Sequence, residues 1–367
     1  MFDTNSVFYQ VFIRNYSQDG TFKFLENDLP RLKDLGVDII YLTPINEIGI
    51  KNRKGKWGSP YASKDYYSIS HDLGTKEDLI SLINKTHELG MKIIVDMVFN
   101  HTAPDSVLLK EHPEFYFYRD GKTGNRIGDW SDIIDLDTAR EDTQNYLVGV
   151  LKYWSSLGFD GFRFDVASLI HIDVFKKARA SLPKDTIFLA ESVSPDFYNF
   201  VKSRGMIANS DEELSQYFDV LYNYNYYHDL ENFLKGNEPL EIMVDKINND
   251  NITRINCLEN HDRDRIASLS KGDRLKDLID FSINLKGYPF LYMGQEYLIS
   301  HKPDLFEKDP VIWKVNQESY EFIKAKIKEK KTRKIFSQKL ILVGPRSIKL
   351  TQCDEKGNII FQKIYQF

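Results

Sequence analysis

The chain alternates. Short runs rich in β-branched and aromatic residues give way to longer stretches with helical spacing, and the exchange repeats along most of its length. The strand-like runs are VFYQVF (7–12), VDIIYLTPI (37–45), MKIIVDMVF (91–99), GFRFDVA (161–167), TIFLAES (186–192), FDVLYN (218–223), TRINCLE (253–259) and YPFLYMG (288–294). They are near-continuous apolar segments, not in/out alternations, which is the pattern of parallel strands covered on both faces. Between them lie amphipathic stretches. Residues 76–90 carry Leu79, Ile80, Leu82, Ile83 and Leu89 on one side and close on Gly90; 142–158 close on Gly158 and 274–287 on Gly287. Glycine just past the last turn is a helix stop, and a strand follows each almost at once. This repetition predicts a TIM (β/α)8 barrel. An open doubly wound sheet is the competing architecture, but no G-x-G-x-x-G opens any of the helices.

Two regions break the rhythm and set the expected organisation. Residues 1–100 form the first part of the barrel, 101–138 a short inserted domain after strand three, 139–334 the rest of the barrel, and 335–367 a small C-terminal β-sheet. The insert carries Pro104, Pro113 and several aromatics without helical period, as an enlarged βα loop would. A long polar loop with Gly49, Gly55, Gly58 and Pro60 also follows strand two, over 46–75. The last region holds three strand-like runs separated by GPRS and DEKGN turns.

Charge and cysteine content narrow the function classes. The 49 basic and 54 acidic residues leave a net charge of −5, which lacks the concentrated basic face that nucleic acid or an anionic membrane surface requires. Neither is an expected partner, and no 18-residue apolar window spans a bilayer. The two cysteines, Cys257 and Cys353, cannot staple a chain of 367 residues. The N-terminus has no basic n-region and no apolar h-region. These features point to the cytoplasm; the pattern fixes no oligomeric state.

In a barrel, polar residues where strands end at the C-terminal face are the ones that do chemistry. Strand three ends in Asp96, Asn100 and His101, strand four in Arg163 and Asp165, strand five in Glu191, and strand seven in Glu259, Asn260, His261 and Asp262. An acid at a strand end is usually a cap or a solvated charge, so the weight lies in the joint pattern. Asp165 sits among Phe162, Phe164 and Val166, where an unpaired carboxylate is costly. Arg163, two residues earlier, points to the same side of the strand and should hold Asp165 ionised. Glu191, after IFLA, occupies a partly apolar place that raises a glutamate pKa and suits a proton donor. One ionised and one protonated carboxyl facing each other are the machinery of a retaining glycosidase. Asp262 and His261 would bind sugar hydroxyls, and His101 is placed similarly.

These residues carry a family resemblance. DMVFNH (96–101), GFRFDVA (161–167), Glu191 in FLAES, and ENHD (259–262), in this order and on strands three, four, five and seven, resemble the four signatures of the α-amylase family of glycoside hydrolases. SPYASKDYYSI (59–69) and IIDLD (133–137) resemble two further family segments. The resemblance spans about residues 7–333. It implies Asp165 as nucleophile, Glu191 as acid/base and Asp262 as the third carboxylate. It places Tyr61, His101, Arg163 and His261 around the sugar, with Tyr61 stacking on it, and gives Asp96 a supporting role. It also implies a structural calcium bound through Asn100 and Asp135, with no organic cofactor.

The departures from the family pattern carry their own expectations. Ala62 follows Tyr61 where exo-acting relatives have an aspartate, which tilts the reading toward endo action. Ser168 and Leu169 stand where many relatives have Lys-His. The expected activity is hydrolysis of α-1,4 bonds in maltooligosaccharides or starch-like glucans through a glycosyl-aspartate. The alternatives are a transglycosylase or isomerase on the same scaffold, and a non-catalytic carbohydrate-binding protein. A metal-dependent hydrolase would want clustered histidines, and none of the eight shows H-x-H spacing. Sugar faces also stack on aromatic rings; besides Tyr61, the candidates are Trp57, Trp130 and Tyr226.

Overall fold

The structure, a computed structural model, describes residues 5–127 and 130–367. Eight strands form its centre: β1 (Phe8–Val11), β2 (Ile39–Leu42), β3 (Lys92–Met97), β4 (Gly161–Phe164), β5 (Ile187–Ala190), β6 (Val220–Tyr222), β7 (Arg254–Asn256) and β8 (Tyr288–Tyr292). Each lies inside one of the apolar runs. Each pairs in parallel with its neighbours in chain order, and β8 returns to β1, so the sheet is a closed barrel. The doubly wound alternative is therefore overturned. Closure leaves no sheet edge exposed, and the apolar runs are covered inside by one another and outside by helices.

β4 shows how local sequence places the site. Alternation sends Phe162 and Phe164 outward, and Phe164 meets Phe99, Phe175, Phe188 and Phe218 at ring-centroid distances of 5.1–5.8 Å. Truncating such a ring would cost ~3–5 kcal/mol. Arg163 and Asp165 are thereby committed to the opposite face. The strand opens with Gly161, where a Cβ would stand 2.2 Å from the Ile187 carbonyl oxygen, so only glycine lets β4 and β5 approach this closely.

The expected helices form at Lys76–Glu88, Glu141–Ser156 and Gly272–Asn284. Gly90 and Gly158 take positive φ just beyond the first two. The insert folds against the barrel through a two-residue ladder, His101–Thr102 pairing Ile134–Asp135. It contains one helix that the sequence pattern did not announce, Val107–Glu111, capped by the Ser106 hydroxyl; five residues are too few for a period to show. At the C-terminus, β9 (Ser337–Gly344), β10 (Ser347–Cys353) and β11 (Ile359–Gln366) form an antiparallel sheet. It packs on helix Gly272–Asn284 through Tyr365 and Phe367 against Phe281, and through Lys363 against Asp280. Among the described residues, no helix is long and apolar enough to cross a membrane.

Candidate active site

The ends of β3, β4, β5 and β7 converge on a cleft of about 230 Å³. It is lined by Tyr61, His101, Asp165, Glu191, His261 and Asp262, with Lys54, Trp130, Asp132 and Phe306 at its rim. Arg163 lies beneath, fully buried. Its Nη1 donates to both oxygens of Asp96 (2.8 and 2.9 Å) and to Asp165 Oδ1 (3.0 Å). Its Nη2 sits 2.9 Å from Glu191 Oε2. One guanidinium thus fixes three carboxylates from three neighbouring strands. Asp96 is the supporting member: it also accepts from the Tyr41 and Tyr61 hydroxyls at 2.8 and 2.9 Å, which orients Tyr61 at the cleft.

The backbone past Asp165 is strained. Val166 is β-branched yet adopts φ 36°, ψ 49°, the left-handed region, a conformation that costs on the order of 1–3 kcal/mol and clusters at functional sites. In return its N–H donates to Glu191 Oε2 at 2.8 Å. The sharp turn therefore locks the second carboxylate to the first.

Protonation follows burial more than pairing. Both Asp165 and Glu191 are pushed above the usual carboxylate range, first by burial. For Asp165, repulsion from Glu191 adds to this, while Arg163 pulls the other way. The expectation that Arg163 alone would hold Asp165 ionised is corrected here: the guanidinium is divided among Asp96, Asp165 and Glu191, so it gives Asp165 no exclusive stabilisation. Two carboxyls so close behave as a pair with a raised proton affinity.

Asp262 behaves differently. Partial desolvation at the cleft works to raise its pKa, but His261, Arg163 and Lys302 outweigh it and hold the group below the usual range. His261 Nε2 lies 3.1 Å from Asp262 Oδ2 and 2.6 Å from the Tyr61 hydroxyl, while Nδ1 lies 2.8 Å from the Gln10 amide. The Tyr61 and His261 rings stack with centroids 5.1 Å apart. His101 is buried, and desolvation lowers its pKa to about 4, so it is neutral near pH 7; its Nε2 is 4.0 Å from Asp165 Oδ2. The site therefore offers two buried carboxyls with raised pKa values, a third carboxylate held below the usual range, and hydrogen-bonding groups around them, the neutral His101 among them.

Asn100 and Asp135 do meet, with Nδ2 3.5 Å from Oδ1, but the donor set does not fit a calcium ion. Calcium takes six to eight oxygens. Here Arg126 already fills the position: its N–H donates to Asp135 Oδ2 at 2.7 Å and its Nη1 to the Leu136 carbonyl at 2.8 Å. Among the described residues, no group of three or more His, Cys, Asp or Glu side chains could hold a metal. Of the aromatic candidates, Tyr61 and Trp130 line the cleft. Trp57 turns away, under Lys308, and Tyr226 is buried with its hydroxyl on Asn256; both expectations are corrected. Sequence reasoning passed over Gln10, although a lone amide inside an apolar strand run was a usable signal. Nothing in the loops marked Lys54, Asp132, Arg126 or Phe306.

Comparison with known proteins places the chain in a family. The family model for the α-amylase catalytic domain matches residues 7–133 and 126–339. A crystal structure of an α-amylase from Lactobacillus plantarum is 37% identical, with a TM-score of 0.91, covering 96% of this chain and 86% of that one. A maltogenic α-amylase from Thermotoga neapolitana is 29% identical at a TM-score of 0.86, covering 96% and 84%. Alpha-amylase 3 of Dictyoglomus thermophilum is 27% identical over 349 residues, 84% of this chain and 67% of its own length. Further curated relatives are longer, the chain matching between 32% and 54% of their length.

Proposed function

Because the chain belongs to the α-amylase family of glycoside hydrolases, we propose that it is a retaining enzyme cleaving α-1,4-glucosidic bonds in maltooligosaccharides or starch-like glucans. The observation that carries the reading is the sharing of Arg163 between Asp165 and Glu191 at the floor of an open cleft. This supports a division of labour between two close carboxyls.

The pair holds one proton. Asp165 attacks the anomeric carbon while Glu191 gives that proton to the departing glycosidic oxygen, which leaves as the alcohol of the aglycone. The bond formed is a glycosyl ester on Asp165. Glu191, now a carboxylate, takes a proton from water as the water oxygen attacks the same carbon from the opposite side; Asp165 is released and the α-configuration returns. Asp262, ionised throughout, and His261 hold ring hydroxyls and favour the cationic, flattened ring of the transition state. Tyr61 offers its face to the sugar, and His101 a neutral donor. No step needs an organic cofactor. The free, unpaired Cys257 and Cys353 suit a reducing compartment, which supports a cytoplasmic location.

A time course of products and anomers from maltoheptaose, followed by ¹H NMR, tests this. The expected result is shorter oligosaccharides released first as the α-anomer. Release of the β-anomer would remove the retaining mechanism. Accumulation of oligosaccharides longer than maltoheptaose would favour transfer to a sugar acceptor instead of water.

A further inference from the structure

One end of the cleft is walled. The loop after β2 is laced to the loop after β8 by backbone contacts: Trp57 N and Gly58 N both donate to the Phe306 carbonyl, at 3.0 and 3.1 Å. Arg14, which lies between the loops, donates to the carbonyls of Gly58 and Leu305. A third side comes from the insert. Lys54 Nζ lies 2.7 Å from Asp132 Oδ1, and Asn52 donates to the Ser131 carbonyl. Lys54 also stands 5.9 Å above the Phe306 ring. Lys54, Asp132 and Phe306 all face the cleft that holds Asp165 and Glu191.

The barrel tells which end this is. β2 and β8 flank β1, and β1 lies diametrically across the ring from β5, the strand that delivers Glu191. In the proposed reaction the leaving oxygen and the aglycone lie on the Glu191 side. The glycone must then extend the other way, from Asp165 toward the β2 and β8 loops, and its non-reducing end meets the wall. A cleft of about 230 Å³, below the ~300–1,000 Å³ of drug-sized ligand sites, fits a short pocket better than a long groove.

Resting on the hydrolase reading above, we infer that Lys54 and Asp132 are specificity-determining residues that close the non-reducing end of the cleft and read the free hydroxyls of the terminal sugar. An ammonium and a carboxylate side by side supply donors and an acceptor to vicinal hydroxyls. A site built to pair hydroxyls discriminates strongly against a substrate that lacks them. The enzyme therefore counts from the chain end, against the tilt toward endo action that Ala62 suggested.

The experiment compares p-nitrophenyl maltoheptaoside with the same compound carrying a 4,6-O-ethylidene block on its non-reducing sugar. The wild type should cleave the blocked compound at least about tenfold more slowly. Lys54→Ala should raise the blocked-to-free ratio about tenfold and lengthen the first products, whereas Lys54→Arg, which keeps the ion pair, should preserve the wild-type ratio. The Lys54 side chain is half-buried at the rim, with 36% of it exposed, so its truncation leaves the fold standing. Equal cleavage of the two compounds by the wild type would overturn the wall while leaving the hydrolase reading intact, as would a ratio unmoved in Lys54→Ala. Inactivity on both compounds would instead remove the hydrolase reading, and the wall with it.

Discussion

Two arginine–carboxylate clusters share the C-terminal face of the barrel, and their geometry separates them. At the end of β7, Glu259 is fully enclosed: Oε1 accepts from Arg265 Nη1 at 2.8 Å and Oε2 from the Ile266 N–H at 2.7 Å, while Arg265 Nε donates to the His301 carbonyl. At the end of β4, Arg163 is equally buried, but among the described residues only Oδ1 of Asp165 is paired at hydrogen-bond distance. Oδ2 faces the cleft, with His101 Nε2 4.0 Å away. Each cluster pairs a buried arginine with a carboxylate. Glu259, with both oxygens paired, holds the loop; Asp165 leaves Oδ2 toward the cleft. Asp262, three residues beyond Glu259, falls on the open side, with 44% of its side chain exposed.

The strongest way to break this contrast is a crossed pair of substitutions. Asp165→Asn should lower kcat by about 10⁴-fold with a melting temperature no lower than wild type. Glu259→Ala should strand the buried Arg265 and cost ~3–5 kcal/mol of stability, read by denaturant melts. Loss of activity in a Glu259→Ala protein that melts normally would place Glu259 in the chemistry and end the distinction.

A second test uses pH. Burial raises Asp165 and Glu191 above their unfolded values, so the folded state holds protons that the unfolded state releases. Their contribution to stability is therefore complete below the unfolded value of about 4 and is lost as pH rises through the raised folded values. Glu191→Gln should remove part of this slope and raise the melting temperature at pH 7 by a few degrees while removing most activity. Calorimetry across pH 4–8 checks it; an unchanged slope would mean the pair carries no such strain. The smallest effect is expected at the rim. Trp130→Ala should raise KM a few-fold, about 0.5–1.5 kcal/mol for a lost stacking ring, with kcat nearly unchanged in steady-state assays.

The position of the candidate site was legible wherever strand geometry carried it. A period of two put Arg163 and Asp165 on one face, and the strand ends delivered Glu191, His261 and Asp262 to one rim. What failed were inferences about sharing and about loops. The register Asp96↔Arg163 and the neighbouring Glu191 divide the arginine three ways, which no reading of β4 alone could show. Tyr226, a stacking candidate in the sequence, lies in helix Tyr224–Leu234, where packing claims it.

The linear sequence by itself determined the barrel, because eight apolar runs separated by amphipathic stretches have few other ways to cover both faces of every strand. It also determined which carboxylates reach the active face, because strand periodicity and chain order leave them no other place. Only the tertiary structure decided which of those carboxylates is saturated, that Arg126 stands where the residue pattern suggested calcium, and that one end of the cleft is closed. Those features depend on contacts between residues as far apart as Arg14 and Leu305 or Lys54 and Asp132. Such contacts arise from the closure of the barrel and carry no local pattern of their own.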